Sequence, residues 1–203
     1  DLATTTRNGY TFDGWWTEQN GTGTRVESTT KVSIDSHHTL YANWKANEFT
    51  VSFDGQGGTS PDPTNKQVAY NQEYGTLATT TRDGYTFNGW WTAPNGGGTQ
   101  VESTTEVTIL SDQTLYAYWT AKDYTVSFNS RGGTTPSPES KVVTFGQQYG
   151  ELATTTRAGY IFDGWWTGEI GTGTRIESST VVTTPSDQTL YAKWLPRYTV
   201  TFD

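Results

Sequence analysis

A 75-residue internal repeat constrains this chain more than any other feature. Leu2-Ala-Thr-Thr-Thr-Arg7 returns from Leu77 to Arg82 and again from Leu152 to Arg157. Gly9-Tyr-Thr-Phe-Asp-Gly-Trp-Trp-Thr17 returns from Gly84 and from Gly159, and Thr39-Leu-Tyr-Ala-Asn-Trp44 from Thr114 and Thr189. All nine tryptophans fall into equivalent triplets: Trp15/Trp16/Trp44, Trp90/Trp91/Trp119 and Trp165/Trp166/Trp194. Phe49-Thr-Val-Ser-Phe-Asp54 matches Tyr124 to Asn129 and Tyr198 to Asp203. Recurrence at a fixed period means a repeated structural unit whose neighbours stack or join in series.

The copies divide the 203 residues unevenly. Residues 1–48 read as a repeat without its first two strands. Residues 49–122 and 123–197 read as complete repeats, and 198–203 as the first strand of a following one. Linkers are short: Lys45 to Glu48, Thr120 to Asp123 and Leu195 to Arg197. So little slack restrains adjacent repeats and predicts an elongated, semi-rigid rod.

Each copy reads as strands. Phe49, Val51 and Phe53 alternate with Thr50 and Ser52, as do their equivalents at 124–128 and 198–202. Period-two alternation of aromatic and β-branched residues predicts a half-buried strand. Val68 to Tyr70 predicts a second strand, Gly9 to Thr17 a third and Leu40 to Trp44 a fourth, with a short one between Val26 and Ile34. Leu2 to Thr6 has room for one helical turn at most. The expected core is Tyr10, Phe12, Trp15, Leu40, Trp44 and Phe53; then Tyr85, Phe87, Trp90, Leu115, Trp119 and Phe128; then Tyr160, Phe162, Trp165, Leu190 and Trp194. Adjacent tryptophans cannot both face the core of a regular strand. A bulge at Asp13-Gly14 would group Tyr10, Phe12 and Trp15 inside and leave Trp16, Trp91 and Trp166 less buried.

The chemistry of the chain is sparse. With no Cys there is no disulfide framework, thiolate metal site or cysteine nucleophile. A net charge of −8 argues against a nucleic-acid partner, and no apolar run is long enough for membrane insertion. The only histidines, His37 and His38, are replaced by Asp112-Gln113 and Asp187-Gln188, which speaks for loop residues rather than catalysis. Asp54-Gly-Gln-Gly-Gly and Asn129-Ser-Arg-Gly-Gly lack the acidic ladder of a calcium loop. The reading is therefore no enzyme, no cofactor and no metal. Arg7, Arg82 and Arg157 are candidate partners for nearby carboxylates. Trp16, Trp91 and Trp166 are the candidate binding residues, because exposed indole faces stack on sugar rings. Against a repeated binding role, the loops Glu18-Gln-Asn20, Ala93-Pro-Asn95 and Gly168-Glu-Ile170 diverge while the framework recurs.

The Gly-Tyr-Thr-Phe-Asp-Gly-Trp-Trp-Thr element, followed by Gly-Thr-Gly-Thr or Gly-Gly-Gly-Thr and then Thr-Leu-Tyr-Ala-x-Trp, resembles the Listeria–Bacteroides repeat, the group that includes internalin B-repeats. The resemblance spans essentially the whole chain. It implies tandem β-grasp-like modules of ubiquitin/SUMO type with a reduced helix, displayed on secreted or cell-surface bacterial proteins. It carries no catalytic residues. Two roles follow as expectations: a structural stalk of an adhesin-type protein whose partners are neighbouring repeats, or a module that grips host surface glycan or protein through repeated aromatics. Residues 198–203 are expected either to add to the preceding module or to fill the vacant first-strand position of a neighbouring molecule.

Overall fold

A computed structural model describes residues 1–202. The protein is mainly β. The first copy contributes β1 (Tyr10–Trp16), β2 (Arg25–Val26) and β3 (Tyr41–Ala46). The second contributes β4 (Glu48–Asp54), β5 (Asn65–Ala69), β6 (Tyr85–Ala93), β7 (Gly97–Val101) and β8 (Gln113–Ala121). The third contributes β9 (Asp123–Asn129), β10 (Ser140–Thr144), β11 (Tyr160–Trp166), β12 (Arg175–Ile176) and β13 (Gln188–Pro196). The helical residues among those described are single 3-10 turns at Gln19–Gly21, Pro94–Gly96 and Glu169–Gly171. The segment Leu2 to Thr6 and its equivalents form no helix.

Two compact units share the chain: residues 1–80 with 89–118, and residues 81–88 with 119–203. In the first unit, β4 pairs antiparallel with β5 and parallel with β8, placing Phe53 beside Leu115. In the second unit, β9 pairs antiparallel with β10 and parallel with β13, placing Phe128 beside Leu190. Numbered within a repeat, the strand order is 2-1-5-3-4, and the first copy keeps only the 4-3-5 part as β2-β1-β3.

The bulge is present in the first and third copies. The register breaks between Phe12 and Trp15, so Asp13 and Gly14 lie opposite Asn43, and it breaks again between Phe162 and Trp165. Gly164 takes φ +101°, a region that side chains avoid. The shift turns Trp165 into the core at 1% exposure, and Trp90 in the second copy is buried alike at 2%. Their indole N–H groups donate to the Ala78 and Ala153 carbonyls at 2.8 Å, so burial leaves no donor unpaired. Around Trp165 pack Val126, Phe128, Tyr149, Ile176, Val182 and Leu190.

Three expectations need correction. Tyr160 and Phe162 stand at the surface. Nothing lies within 4 Å of where a Cβ on the preceding Gly159 would be, whereas aromatic rings cover Gly9 and Gly84. Tyr85, Phe87, Trp119 and Trp194 of the complete copies are only half-buried, as are Tyr10, Phe12, Trp15, Leu40 and Trp44 of the first. In the first copy Val32 is 82% exposed, whereas Val107 and Val182 are fully buried and hydrogen-bond to the turns after their hairpins, at Asn71–Gln72 and Gly146–Gln147. The short strand expected from Val26 to Ile34 stops at Val26. In the complete copies the corresponding segment hydrogen-bonds to the turn after the hairpin instead, Tyr74 N–H to Thr105 and Tyr149 N–H to Thr180.

Residues 198–202 form no strand, and Tyr198, Val200 and Phe202 are exposed. Their equivalents in β4 and β9 lie between a hairpin strand and a parallel strand, and no described strand supplies either partner here. The alternation alone therefore does not order the segment, and the option of adding to the preceding module is not taken. Asp203 lies outside the described residues.

Candidate functional site

The most elaborated polar and aromatic arrangement sits where one repeat meets the next. β3 runs into β4 through Asn47. The Asn47 N–H donates to the Gly9 carbonyl, and its own carbonyl accepts from the Tyr70 N–H, both at 2.9 Å. The second joint repeats this: Lys122 N–H to Gly84 at 2.8 Å, and Phe145 N–H to Lys122 at 2.9 Å. One linker residue thus ties a turn of the preceding repeat to the hairpin strand of the following repeat.

Aromatic packing reinforces each tie. The Tyr70 ring covers Gly9, and the Phe145 ring covers Gly84. A Cβ at either glycine would lie 2.4 Å from the ring, and φ is +75° and +77° at the two positions. Both sterics and backbone therefore demand glycine. Tyr10 meets Tyr70 edge-on with centroids 5.5 Å apart, and Tyr85 meets Phe145 in the same way. Such edge contacts contribute about 0.5–1.5 kcal/mol beyond area burial. Arg7 lies 3.9 Å over the Tyr10 ring and Arg82 3.8 Å over that of Tyr85. These arginines, with Arg157 at 4.0 Å over Tyr160, stack on tyrosine rings, a use that the expectation of carboxylate partners did not include. In the third copy the Gly159 carbonyl accepts from Arg197 N–H at 2.9 Å, so this half of the joint forms without a covering ring.

The tryptophans singled out as binding candidates are half-buried and differently covered. Trp16 and Trp166 donate their indole N–H to the Asp13 and Asp163 carbonyls within their own bulges. Trp91 has Tyr118 edge-on at 5.9 Å, and Trp166 carries the Lys193 ammonium 4.5 Å above its ring. Lys193 also pairs with Asp163 at 2.8 Å, which holds that carboxyl below its ordinary range. Trp91 and Trp166 therefore carry different neighbours at equivalent positions.

His37 and His38 lie in an exposed loop. The acidic Ser-Asp turns have a structural use that sequence reading missed. Asp112 accepts the Thr50 N–H at 2.8 Å, and Asp187 accepts the Thr125 N–H at 2.7 Å, each across 62 residues of chain. Among the described residues, no group of three or more His, Asp or Glu is placed to hold a metal. No helix is long and apolar enough to cross a membrane.

The fold and the joints define a class: small mixed-sheet β modules in tandem, with a ring-covered glycine next to the linker at Gly9 and Gly84. The chain belongs to the Listeria–Bacteroides repeat family, whose profile matches residues 1–43, 49–118 and 124–193. It is 33% identical, over its full length, to a protein of Evansella cellulosilytica provisionally named a Gly-rich membrane protein. It is 36% identical over 58% of its length to internalin H of Listeria monocytogenes. The chain spans 24% and 20% of those two relatives, so it corresponds to a part of each.

Proposed function

We propose that the chain is a stalk segment of a bacterial cell-surface or secreted protein of adhesin type. Its role is to set the distance and direction of other domains. The observation that carries this reading is the joint: linker tie, glycine seat, tyrosine and arginine recur at Gly9/Tyr70 and at Gly84/Phe145 while the surface loops diverge. A spacer needs its joints alike and is indifferent to its loops. A multivalent binder needs the reverse. We read each module as β-grasp-like, on the strength of the 2-1-5-3-4 strand order with its parallel central pair. The name of the Listeria relative supports an extracellular address.

The competing reading is an adhesive module using Trp16, Trp91 and Trp166. The different cover over each ring weighs against it. Small-angle scattering tests the spacer: an extended particle is expected, and a compact globule would overturn the proposal.

A further inference from the structure

We propose that a cleft in the third repeat alone binds a carboxylate-bearing saccharide. This inference is independent of the spacer reading, which rests on the joints at Gly9/Tyr70 and Gly84/Phe145. The cleft has a volume of about 320 Å³ and is lined by Arg131, Arg157, Ile170, Ala192, Lys193 and Trp194. That volume lies at the small end of ligand sites, the scale of one sugar unit.

The lining differs from its equivalents in charge. The second copy has Gln56, Arg82, Asn95, Ala117, Tyr118 and Trp119 at the matching positions, with one cation. Only the third copy brings three cations together, in a chain of net charge −8. They arrive from separate segments: the loop after β9, the turn before β11, and β13. Arg131 pairs with Glu169 at 2.9 Å, a carboxylate 57% exposed and able to yield to a ligand. Arg157 donates to the Arg131 carbonyl at 3.4 Å, which holds the two guanidinium-bearing segments together. Lys193 is committed to Asp163, leaving its stem as part of the wall. Guanidinium groups present planar, paired donors that match a carboxylate.

The apolar side of the cleft matches a sugar ring. The Trp194 indole is fixed by its N–H bond to the Ser130 carbonyl at 2.7 Å. Ile170 stands at the rim, 77% exposed, with φ +60°. A β-branched residue in the left-handed region is an outlier, and the equivalents Asn20 and Asn95 are residues that tolerate it. Strain kept at the mouth of a cleft calls for a contact that uses the side chain. A carboxylate on Arg131 and Arg157, with the C–H face of its ring against Ile170 and Trp194, uses both the added guanidinium and the strained isoleucine of the third copy.

The test titrates the intact chain with sialyllactose, with an oligogalacturonate, with neutral lactose and with an oligoglutamate peptide, reading the Trp194 indole N–H resonance and calorimetry. At least one acidic sugar is expected to bind and shift Trp194, and the two arms distinguish sialate from uronate. Lactose is expected to do neither. Arg131→Gln installs the residue the second copy already carries at φ +48°, so the fold is retained; affinity should fall about tenfold. Ile170→Asn should raise the melting temperature yet weaken binding. Failure of both acids to bind, equal binding of lactose or of an oligoglutamate peptide, or affinity unmoved by Arg131→Gln would each overturn the proposal.

Discussion

Ile170 shares its backbone geometry with Asn20 and Asn95, all near φ +60°, and only the branched side chain is out of place there. Ile170→Asn removes that conflict and should raise unfolding stability by about 1 kcal/mol, measured by urea denaturation. Asp187 makes the opposite case. Its side chain looks like a turn residue but receives the Thr125 N–H from a distant strand. Asp187→Ala should cost about 1.5–3 kcal/mol, the range for a charge-assisted hydrogen bond. No local pattern announces a partner 62 residues away, which is why the sequence shows the turn and hides its use. Tyr74 and Tyr149 add a pH dependence. Burial pushes both phenols above the ordinary tyrosine value. The folded state then holds its protons more tightly than the unfolded chain, so stability is full below about pH 10 and falls as pH rises past it. Unfolding midpoints from pH 8 to 11 should decline less in a Tyr74→Phe/Tyr149→Phe double variant than in the parent.

The bulged strand is the element most legible in the sequence, because two adjacent tryptophans and a glycine leave few registers that bury one ring cleanly. The register shift between Phe162 and Trp165 follows that logic. The strand order was not legible, since pairing of β9 with β13 depends on contacts some 62 residues apart. Nor was the unequal burial of identical residues. Val32, Val107 and Val182 share one position, yet the latter two are bonded to the turn after a hairpin and fully buried. That difference predicts unequal dynamics. Amide exchange should show residues 27–40 opening with almost no protection, whereas 102–115 and 177–190 exchange through much larger openings. Equal protection in the three segments would mean that the first copy's core is covered in solution. Truncation at the shared centre should be costly where the core is complete: Trp165→Ala is expected to lose about 3–5 kcal/mol.

In the whole molecule, stability should behave as a sum over repeats plus the joints between neighbours. The joints were half legible: the linkers showed little slack, but the glycine-on-ring seat joins residues 61 positions apart, Gly9 with Tyr70 and Gly84 with Phe145. The third copy supplies an internal control for the worth of that seat. Gly84 and Gly159 have φ +77° and +78°, so alanine meets nearly the same backbone penalty at both, about 1–2 kcal/mol. They differ in surroundings. A Cβ at Gly84 strikes the Phe145 ring at 2.4 Å, whereas at Gly159 it meets nothing within 4 Å. Gly159→Ala should therefore report the backbone term alone, and Gly84→Ala that term plus the unseating of Phe145. The excess, measured by denaturant melts, is expected to be about 1 kcal/mol or more, the scale of an aromatic edge contact. Only Gly84→Ala should also split or broaden the thermal transition, because it alone loosens one repeat from the next. Equal costs and equally sharp transitions for the two variants would mean that the ring seat transmits no coupling, and any coupling between repeats would then rest on the linker hydrogen bonds at Asn47 and Lys122.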